Sequence, residues 1–449
     1  MEKFYLEELI NSGKVDNKSK MEFARLCEII NVDFMRDWDQ GLESMEHIVE
    51  IQKKAIIGYE NEVHYFRSKI KEYIKGHKAE NVIFPSWYKS LDEAIYHENW
   101  GLAGIGEWFS SEFTSSSSAK IIGNRIYFLE DGKMILKNQK ISKFRREQLV
   151  RAFLLLTPDE RLDKDFHEIY LLDGSRVTIF RGSLVKDGED VIVFRRYIIP
   201  EYSFEEQAKR KTIPYEAISL FVDMVKLGYN VAFTGAVRTS KTTFLSTWQS
   251  YEDQSLEGVM LETDPEIPLH KIMPDAPVIQ ILADNEKLLT VTKNILRSDA
   301  DYIIVAEARD GLALDTAIKV ASKGTKRMKI TFHTKSPLDF CYDVACEIVK
   351  VMGGDIHYTA NKVASSFDYV FHFIQLKNKS QKRLKSIYEI SFDAENQKIN
   401  MIEICSYNYY DETWKWTNRI STDKVTAGLE EDACAFEEFS GKLKDLANG

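Results

Sequence analysis

The chain has few cysteines, and those it has follow no pattern. The five residues Cys27, Cys341, Cys346, Cys405 and Cys434 are scattered, with no CxxC pair and no regular spacing. This usage argues against a disulfide framework and against a four-cysteine zinc site. It is typical of reduced thiols in a cytosolic protein.

Long hydrophobic runs are also absent. No apolar stretch approaches the roughly 18–20 residues that a helix needs to cross a bilayer. The N-terminus, MEKFYLEELINSGK, is polar and acidic, so it does not have the composition of a signal peptide. The sequence therefore predicts an intracellular chain without a transmembrane segment, whose membrane contacts would go through a partner.

The chain also lacks a surplus of basic residues. Lys and Arg number 60 against 70 Asp and Glu, which gives a net charge of −10. This balance argues against a protein whose whole surface grips nucleic acid, although a local basic patch is compatible with it. The basic stretch Lys377–Lys385 is predicted to be a solvated hairpin loop. The length of 449 residues indicates about two to four domains.

The most informative stretch runs from Tyr229 to Trp248 and predicts a strand, a loop and a helix. Asn230–Thr234 is a short apolar strand, and helical spacing begins at Lys241. The eight residues GAVRTSKT between them match the phosphate-loop pattern GxxxxGK[ST], except that Ser240 replaces the second glycine. The predicted nucleotide-binding residues are Gly235, Ala236, Val237, Arg238, Thr239, Ser240, Lys241, Thr242 and Thr243.

The spacing of this loop has a chemical reason. Its backbone N–H groups can turn inward around a phosphate at the positive end of the following helix. Lys241 would then reach the β- and γ-phosphates, and the Thr242 hydroxyl would ligate Mg²⁺. An ordinary strand, turn and helix with a surface lysine is the alternative, and the downstream motifs favour the phosphate loop.

Polar residues follow three further predicted strands. The strand Gly258–Leu261 leads to Glu262, Tyr302–Val305 leads to Glu307, and Lys329–Phe332 leads to His333; Arg309 is two residues beyond Glu307. In open parallel sheets ligands bind at the carboxyl ends of the strands. A carboxylate at that edge can hold Mg²⁺ or prime a water molecule. Taken singly, the glutamate and the arginine could be surface charges, and the histidine a core residue.

The order of these motifs along the chain resembles that of the secretion-ATPase superfamily, whose members power type II secretion, type IV pili and type IV secretion. The resemblance is greatest to the CpaF-type ATPases of tight-adherence pili and their conjugative relatives. Besides the phosphate loop, the segments that carry it are Leu172–Val177, Val193–Arg196, Glu262–Glu266, Tyr302–Asp310 and Ile330–Thr334. Ser240 and Ala306 depart from the family, which has glycine at both positions.

The resemblance implies ATP as the substrate and Mg²⁺ as the cofactor. It assigns Glu307 to water activation, Glu262 to assistance at the metal, and His333 to sensing the γ-phosphate. The implied catalytic residues are Glu307, Glu262, Lys241, Arg309, His333, Arg176 and Arg195. The implied metal site consists of Thr242, Glu262 and Glu307. Arg176 and Arg195 would neutralise charge that develops on the γ-phosphate.

The family further implies a cytoplasmic homo-hexameric ring, peripheral to the membrane through a polytopic inner-membrane platform protein, with no direct nucleic-acid partner. Pilus assembly, secretion and conjugative transfer share one active site, so the sequence leaves the choice among them open. Two alternatives also stay open. The chain could be a nucleotide-binding regulatory subunit with weak or no hydrolysis, or a RecA-like DNA translocase.

The predicted fold class is α/β, with a RecA-like P-loop NTPase core behind a small α+β domain and an N-terminal helical extension. The predicted parts are 1–85 for the helical extension, 86–205 for the α+β domain, 206–395 for the ATPase domain and 396–449 for a tail of strand and amphipathic helix. In the extension, apolar residues from Ile56 to Tyr73 recur by three and four, which predicts one helix.

Overall fold

The computed structural model describes residues 17–40, 45–154, 165–171, 174–196, 201–263, 266–282, 300–306, 308 and 311–449. The chain divides into two compact units, Met1–Ile198 and Ile199–Gly449. Among the helices of the described residues, none has both the length and the apolar character that crossing a membrane requires.

The first unit opens with a helical part. Its helices are α1 (Asn17–Gln40), α2 (Met45–Ile57), α3 (Glu60–Gly76) and α4 (Leu91–Asn99). Phe34 of α1, Phe66 of α3 and Trp100 pack together, with ring centroids 4.6 to 5.4 Å apart. This aromatic core extends to Trp100, beyond the limit of 85 predicted for the helical extension.

The single helix expected from Ile56 to Tyr73 is wrong, because the chain breaks between α2 and α3. Gly58 has φ of +101° at the break, a conformation that residues with a side chain rarely adopt. The periodic residues Phe66 and Ile70 are buried as predicted, while Ile56 packs into the core of the sheet that follows.

An antiparallel sheet of six strands forms the second part of the first unit. The strands are β1 (Ser118–Ile122), β2 (Arg125–Glu130), β3 (Lys133–Lys140), β4 (Phe166–Tyr170), β5 (Arg176–Phe180) and β6 (Val191–Arg195), and the helix between β3 and β4 is α5 (Lys143–Leu154). The order across the sheet is β3-β2-β1-β6-β5-β4. This is the small α+β domain that the sequence predicts.

The second unit is built on a nine-stranded sheet. Its strands are β7 (Val231–Gly235), β8 (Gly258–Glu262), β9 (Val278–Leu282), β10 (Tyr302–Val305), β11 (Lys329–Phe332), β12 (Tyr369–Gln375), β13 (Lys382–Asp393), β14 (Lys398–Asn408) and β15 (Thr413–Trp416). The order across it is β15-β14-β13-β12-β7-β11-β10-β8-β9, and the six strands from β12 to β9 in this order run parallel.

Helices lie on both faces of this sheet. They are α6 (Phe204–Lys209), α7 (Ile218–Lys226), α8 (Lys241–Ser250), α9 (Leu269–Ile272), α10 (Gly311–Ala321), α11 (Phe340–Met352), α12 (Ile356–Ser366) and α13 (Thr422–Asn448). Alternate residues of β7 pack into the hydrophobic cores on opposite faces of the sheet. Val231 and Phe233 pack with α7 and α8, and Ala232 packs with α10 and α11. The predicted α/β fold class is confirmed.

The C-terminal residues are part of this core. Strands β13 to β15 extend the sheet in antiparallel fashion beyond β12. Helix α13 bends at Asp432, and its second half inserts Phe439 and Leu443 into the core beside β7 and α7. Lys442 of α13 also donates to Asp223 of α7 at 2.5 Å. The predicted tail 396–449 thus packs on the ATPase-like core.

A buried ion pair fixes the beginning of β11. Lys329 and Glu252 are both 1% exposed in their side chains, and Nζ lies 2.5 Å from Oε2. The ammonium also lies 4.5 Å from the ring centre of Tyr302. Burial lowers the pKa of Lys329, although the carboxylate of Glu252 opposes this effect. The lysine depends on its one carboxylate partner, because an unpaired buried charge is costly.

Glu252→Gln should therefore destabilise the second unit by about 3–5 kcal/mol, since it leaves the Lys329 ammonium buried without a counter-charge. Denaturant unfolding of the full chain measures the loss. The matched control is Asp315→Asn, which breaks the pair with Lys319, whose side chain is 50% exposed; it should cost no more than about 1 kcal/mol. Equal losses for the two variants would contradict this account.

Candidate functional site

The segment after β7 forms a tight loop into α8, as the sequence predicts. Gly235 has φ of +140°. A Cβ atom there would collide with the Phe373 carbonyl oxygen of β12 and lie 2.8 Å from Thr239 Oγ1. The neighbouring strand therefore presses directly on the start of the loop. Glycine is required at position 235 for its conformation and for its lack of a side chain.

Two further loop residues adopt the left-handed conformation. Arg238 has φ of +66°, and Ser240 has φ of +71° and ψ of +25°. Ser240 thus takes the backbone conformation for which the phosphate-loop pattern uses glycine. Its hydroxyl makes no capping hydrogen bond to α8. The cost of a left-handed serine is about 1–2 kcal/mol, and the loop forms in spite of it.

The loop lysine is tied to two groups. Lys241 Nζ donates to the carbonyl oxygen of Ala236 at 2.8 Å and lies 3.2 Å from His333 Nδ1. An ammonium can only donate, so Nδ1 is the acceptor in this contact. Although 92 residues separate them, Lys241 and His333 meet because β11 runs parallel beside β7, with Phe332 opposite Thr234.

The acidic stretch after β8 lies beside the start of α8. Thr242 Oγ1 donates to Glu266 Oε2 at 3.4 Å. The buried Glu262 accepts from the backbone N–H groups of Glu266 and Ile267, at 3.3 and 3.0 Å. Glu262 therefore positions the loop that carries Glu266, and Glu266 reaches the predicted metal ligand. The sequence analysis gave Glu266 no role, although it closes the acidic segment.

Glu307 and Arg309 lie outside the described residues, as do Asp264 and Pro265 of the acidic segment. The described neighbours of position 307 bond to the strands on either side of β10. The N–H of Ala306 donates to Leu261 of β8, and that of Ala308 donates to Thr331 of β11. The carboxyl end of β10 thus belongs to the same sheet edge as the phosphate loop and His333.

The remaining loop residues differ in exposure. Ala236, Val237 and Arg238 are exposed, whereas Thr239 is buried and donates to Ala236 O at 2.9 Å. Thr243 is buried within α8. The exposed residues form the rim of the loop, and Thr239 braces it from within.

Arg176 and Arg195 belong to the first unit. They lie directly opposite each other on the neighbouring strands β5 and β6. Arg176 forms an ion pair with Glu168 of β4. The two predicted arginines are therefore neighbours on one sheet, and their roles stay predictions.

A histidine that the sequence analysis did not single out lies under the loop. His372 of β12 is buried, with Nδ1 3.0 Å from Thr234 Oγ1, one residue before the loop. Burial, with a smaller contribution from Lys385 and Lys241, lowers the pKa of His372 to about 4. A lone histidine within the apolar strand YVFHFIQ was the available signal.

Gly235→Ala should destabilise the second unit more than Gly324→Ala does, by about 1–3 kcal/mol. Both glycines have positive φ, but an added Cβ at Gly324 meets open space while one at Gly235 meets β12. Denaturant unfolding of the two full-length variants makes the comparison. Similar losses would show that β12 does not constrain the loop.

No protein-family model and no curated protein matches the chain. Several solved structures match it. The VirB11 ATPase of the Brucella suis type IV secretion system is 16% identical, with a TM-score of 0.35, over 66% of this chain and 93% of its own. The pilus retraction motor PilT with bound ADP is 13% identical, with a TM-score of 0.45, over 73% and 86%. The Legionella pneumophila ATPase DotB is 14% identical, with a TM-score of 0.43, over 75% and 85%.

These three solved structures are of secretion and pilus ATPases, the superfamily that the sequence motifs resemble. They do not distinguish the CpaF-type branch.

Proposed function

We propose that the chain is an ATP-hydrolysing motor of the secretion-ATPase superfamily, which powers pilus assembly, secretion or conjugative transfer. The observation that carries the proposal is the distance of 3.2 Å between Lys241 Nζ and His333 Nδ1. In addition, Ser240 keeps the left-handed backbone conformation that glycine has in the phosphate-loop pattern. An ordinary strand, turn and helix does not require a polar residue from a neighbouring strand at its lysine.

The residues of the loop fit the substrate. Backbone N–H groups from Ala236 to Thr242 would bind the phosphates of ATP, with Lys241 at the β- and γ-phosphates. Thr242, with Glu262 and Glu266 beside it, offers the oxygen ligands that Mg²⁺ prefers. When bound, Mg²⁺ would neutralise charge on the phosphate oxygens.

The contact with Lys241 supports a role for His333 in responding to the phosphates, because the histidine accepts from the same ammonium that would contact them. On nucleotide binding Lys241 would turn from Ala236 O and His333 Nδ1 toward phosphate oxygen, which would break its contact with the histidine. Glu307 is proposed to activate the attacking water, and Arg309, Arg176 and Arg195 to stabilise developing charge.

A homo-hexameric ring on the cytoplasmic face of a membrane platform protein is proposed with this activity. A heterologous ring closes without open ends, which suits a rotary motor. The resemblance of the motifs supports this assembly. The CpaF-type tight-adherence pilus motor is the branch that the motifs favour.

One observation favours a second candidate, a nucleotide-binding regulatory subunit that does not hydrolyse ATP. Ser240 adds a side chain to the phosphate loop where the family has glycine. If that side chain crowds the γ-phosphate, a displacement of about 1 Å can lower the rate on the order of 10²-fold.

Lys241→Ala should abolish tight MgATP binding in isothermal calorimetry, since it removes the cation proposed to bind the β- and γ-phosphates. Glu307→Gln should still bind MgATP, while steady-state turnover falls on the order of 10²-fold or more. The control Lys319→Gln removes a half-exposed lysine of α10 and should change neither quantity. Unchanged affinity in Lys241→Ala would remove the phosphate-loop assignment.

Ser240→Gly should raise turnover by less than about tenfold and leave nucleotide affinity little changed. The structure already holds residue 240 at φ of +71°, so glycine relieves only the cost of about 1–2 kcal/mol for a left-handed serine. Turnover and calorimetry on the two proteins test this. A change from no detectable hydrolysis to robust hydrolysis would instead establish the regulatory subunit.

A further inference from the structure

The tip of the basic hairpin, residues 377–381, is exposed as the sequence analysis expects, but the strand ends that carry it lie beside the phosphate loop. Strand β12 runs parallel to β7 with Phe373 opposite Gly235, so its last residues continue beside the loop. Gln375 Nε2 donates to the carbonyl oxygen of Arg238 at 3.4 Å. Lys382, the first residue of β13, is directly opposite Gln375. The hairpin between β12 and β13 is therefore attached to the loop.

Four cations gather at this junction: Arg238, Lys382, Arg383 and Lys385, which we call the basic cluster. Arg383 and Lys385 follow Lys382 along β13, and the electrostatics place Arg238 near Lys382. Burial, and then the charge of Arg238, lower the pKa of Lys382 to about 8. Lys385 and Lys241 both act on the pKa of His372 beneath the loop. The positive charge of the hairpin thus extends to the phosphate-binding lysine.

A β-bulge directs one of these cations. The pairing of β12 with β13 shifts between His372 and Phe373, which lie opposite Ser386 and Leu384, so that Lys385 is the extra residue. Bulges of this kind occur next to active sites, where they re-aim a side chain. The irregularity is at the level of the phosphate loop rather than at the far end of the hairpin.

No member of the basic cluster forms an ion pair with any carboxylate of the described residues. The guanidinium of Arg383 is almost fully buried and donates to the carbonyl oxygen of Lys382, and the ammonium of Lys382 donates to that of Lys379. Other buried cations of this unit, such as Lys329 and Lys424, are paired with carboxylates. In a chain with net charge −10, unpaired cations beside a phosphate loop indicate an anionic ligand.

We propose that the basic cluster is a second phosphate-binding element, which contributes the side chains of Arg238 and Lys382 to the nucleotide held by the phosphate loop. This inference rests on the proposed function and names further residues of the same site. Its ligand is the polyphosphate of a nucleoside triphosphate. Nucleic acid and an acidic protein segment are the rival ligands, but Arg238 belongs to the phosphate loop itself, which favours the nucleotide.

The test compares MgATP affinity by calorimetry in the full-length chain and its variants. Lys382→Gln should raise the Kd about five- to twentyfold, since it removes one charge-assisted contact, and Arg238→Gln should have a similar effect. Lys382→Arg keeps the charge and should stay within about threefold of the original chain. Raising the salt concentration should narrow the difference between Lys382→Gln and the original chain.

The matched control is Lys398→Gln, which removes the same charge from an exposed lysine at the end of the β13–β14 pair remote from the loop. It should leave the Kd unchanged. Thermal unfolding of each variant verifies the fold. If Lys382→Gln is unstable, Arg238→Gln carries the test, because Arg238 is exposed.

The outcomes separate this inference from the proposed function. If the original chain binds MgATP and Lys241→Ala does not, but Lys382→Gln and Arg238→Gln keep the original Kd, the basic cluster is not part of the nucleotide site. If Lys382→Gln instead loses binding of a single-stranded oligonucleotide at unchanged MgATP affinity, the hairpin is a nucleic-acid surface and our inference is wrong. If the original chain binds no MgATP, both proposals are wrong.

Discussion

The position of β7 between two parallel neighbours is the constraint on which the site depends. On one side β12 presses its Phe373 carbonyl against Gly235 and thereby shapes the loop. On the other side β11 brings His333 to Lys241. A shift of one residue in either pairing would turn alternate side chains to the opposite face of the sheet. The chemistry of the loop therefore follows from the register of three strands.

Strand β11 is held at both ends, which makes it a firm support for His333. At its start the buried Lys329 is paired with Glu252, and just past its end His333 accepts from Lys241. The second of these contacts would be exchanged for one with phosphate when nucleotide binds, while the first does not involve the site. A conformational response at His333 would then start from a fixed strand, as a functional group on a rigid element requires.

Negative and positive side chains lie on opposite sides of the site. Glu262 and Glu266 lie beside Thr242, where a divalent cation would complete the charge balance. The basic cluster includes Arg238 at the rim of the loop and has no carboxylate partners among the described residues. A metal–triphosphate complex carries charges of both signs. The two glutamates would complement the metal, and the basic cluster would complement the phosphates. Ser240 retains the left-handed backbone conformation for which the phosphate-loop pattern uses glycine.

The sequence by itself determined the local features of this protein. Tyr302–Val305 and Lys329–Phe332 are strands with the predicted limits, because β-branched and aromatic residues in a short run favour a buried strand. The tertiary structure alone decided that Lys241 meets His333, that Glu266 reaches Thr242, and that Gln375 attaches the β12–β13 hairpin to the loop. Local patterns report the backbone conformation of neighbouring residues. Contacts between distant residues depend on strand order and register, which no short stretch of the chain encodes.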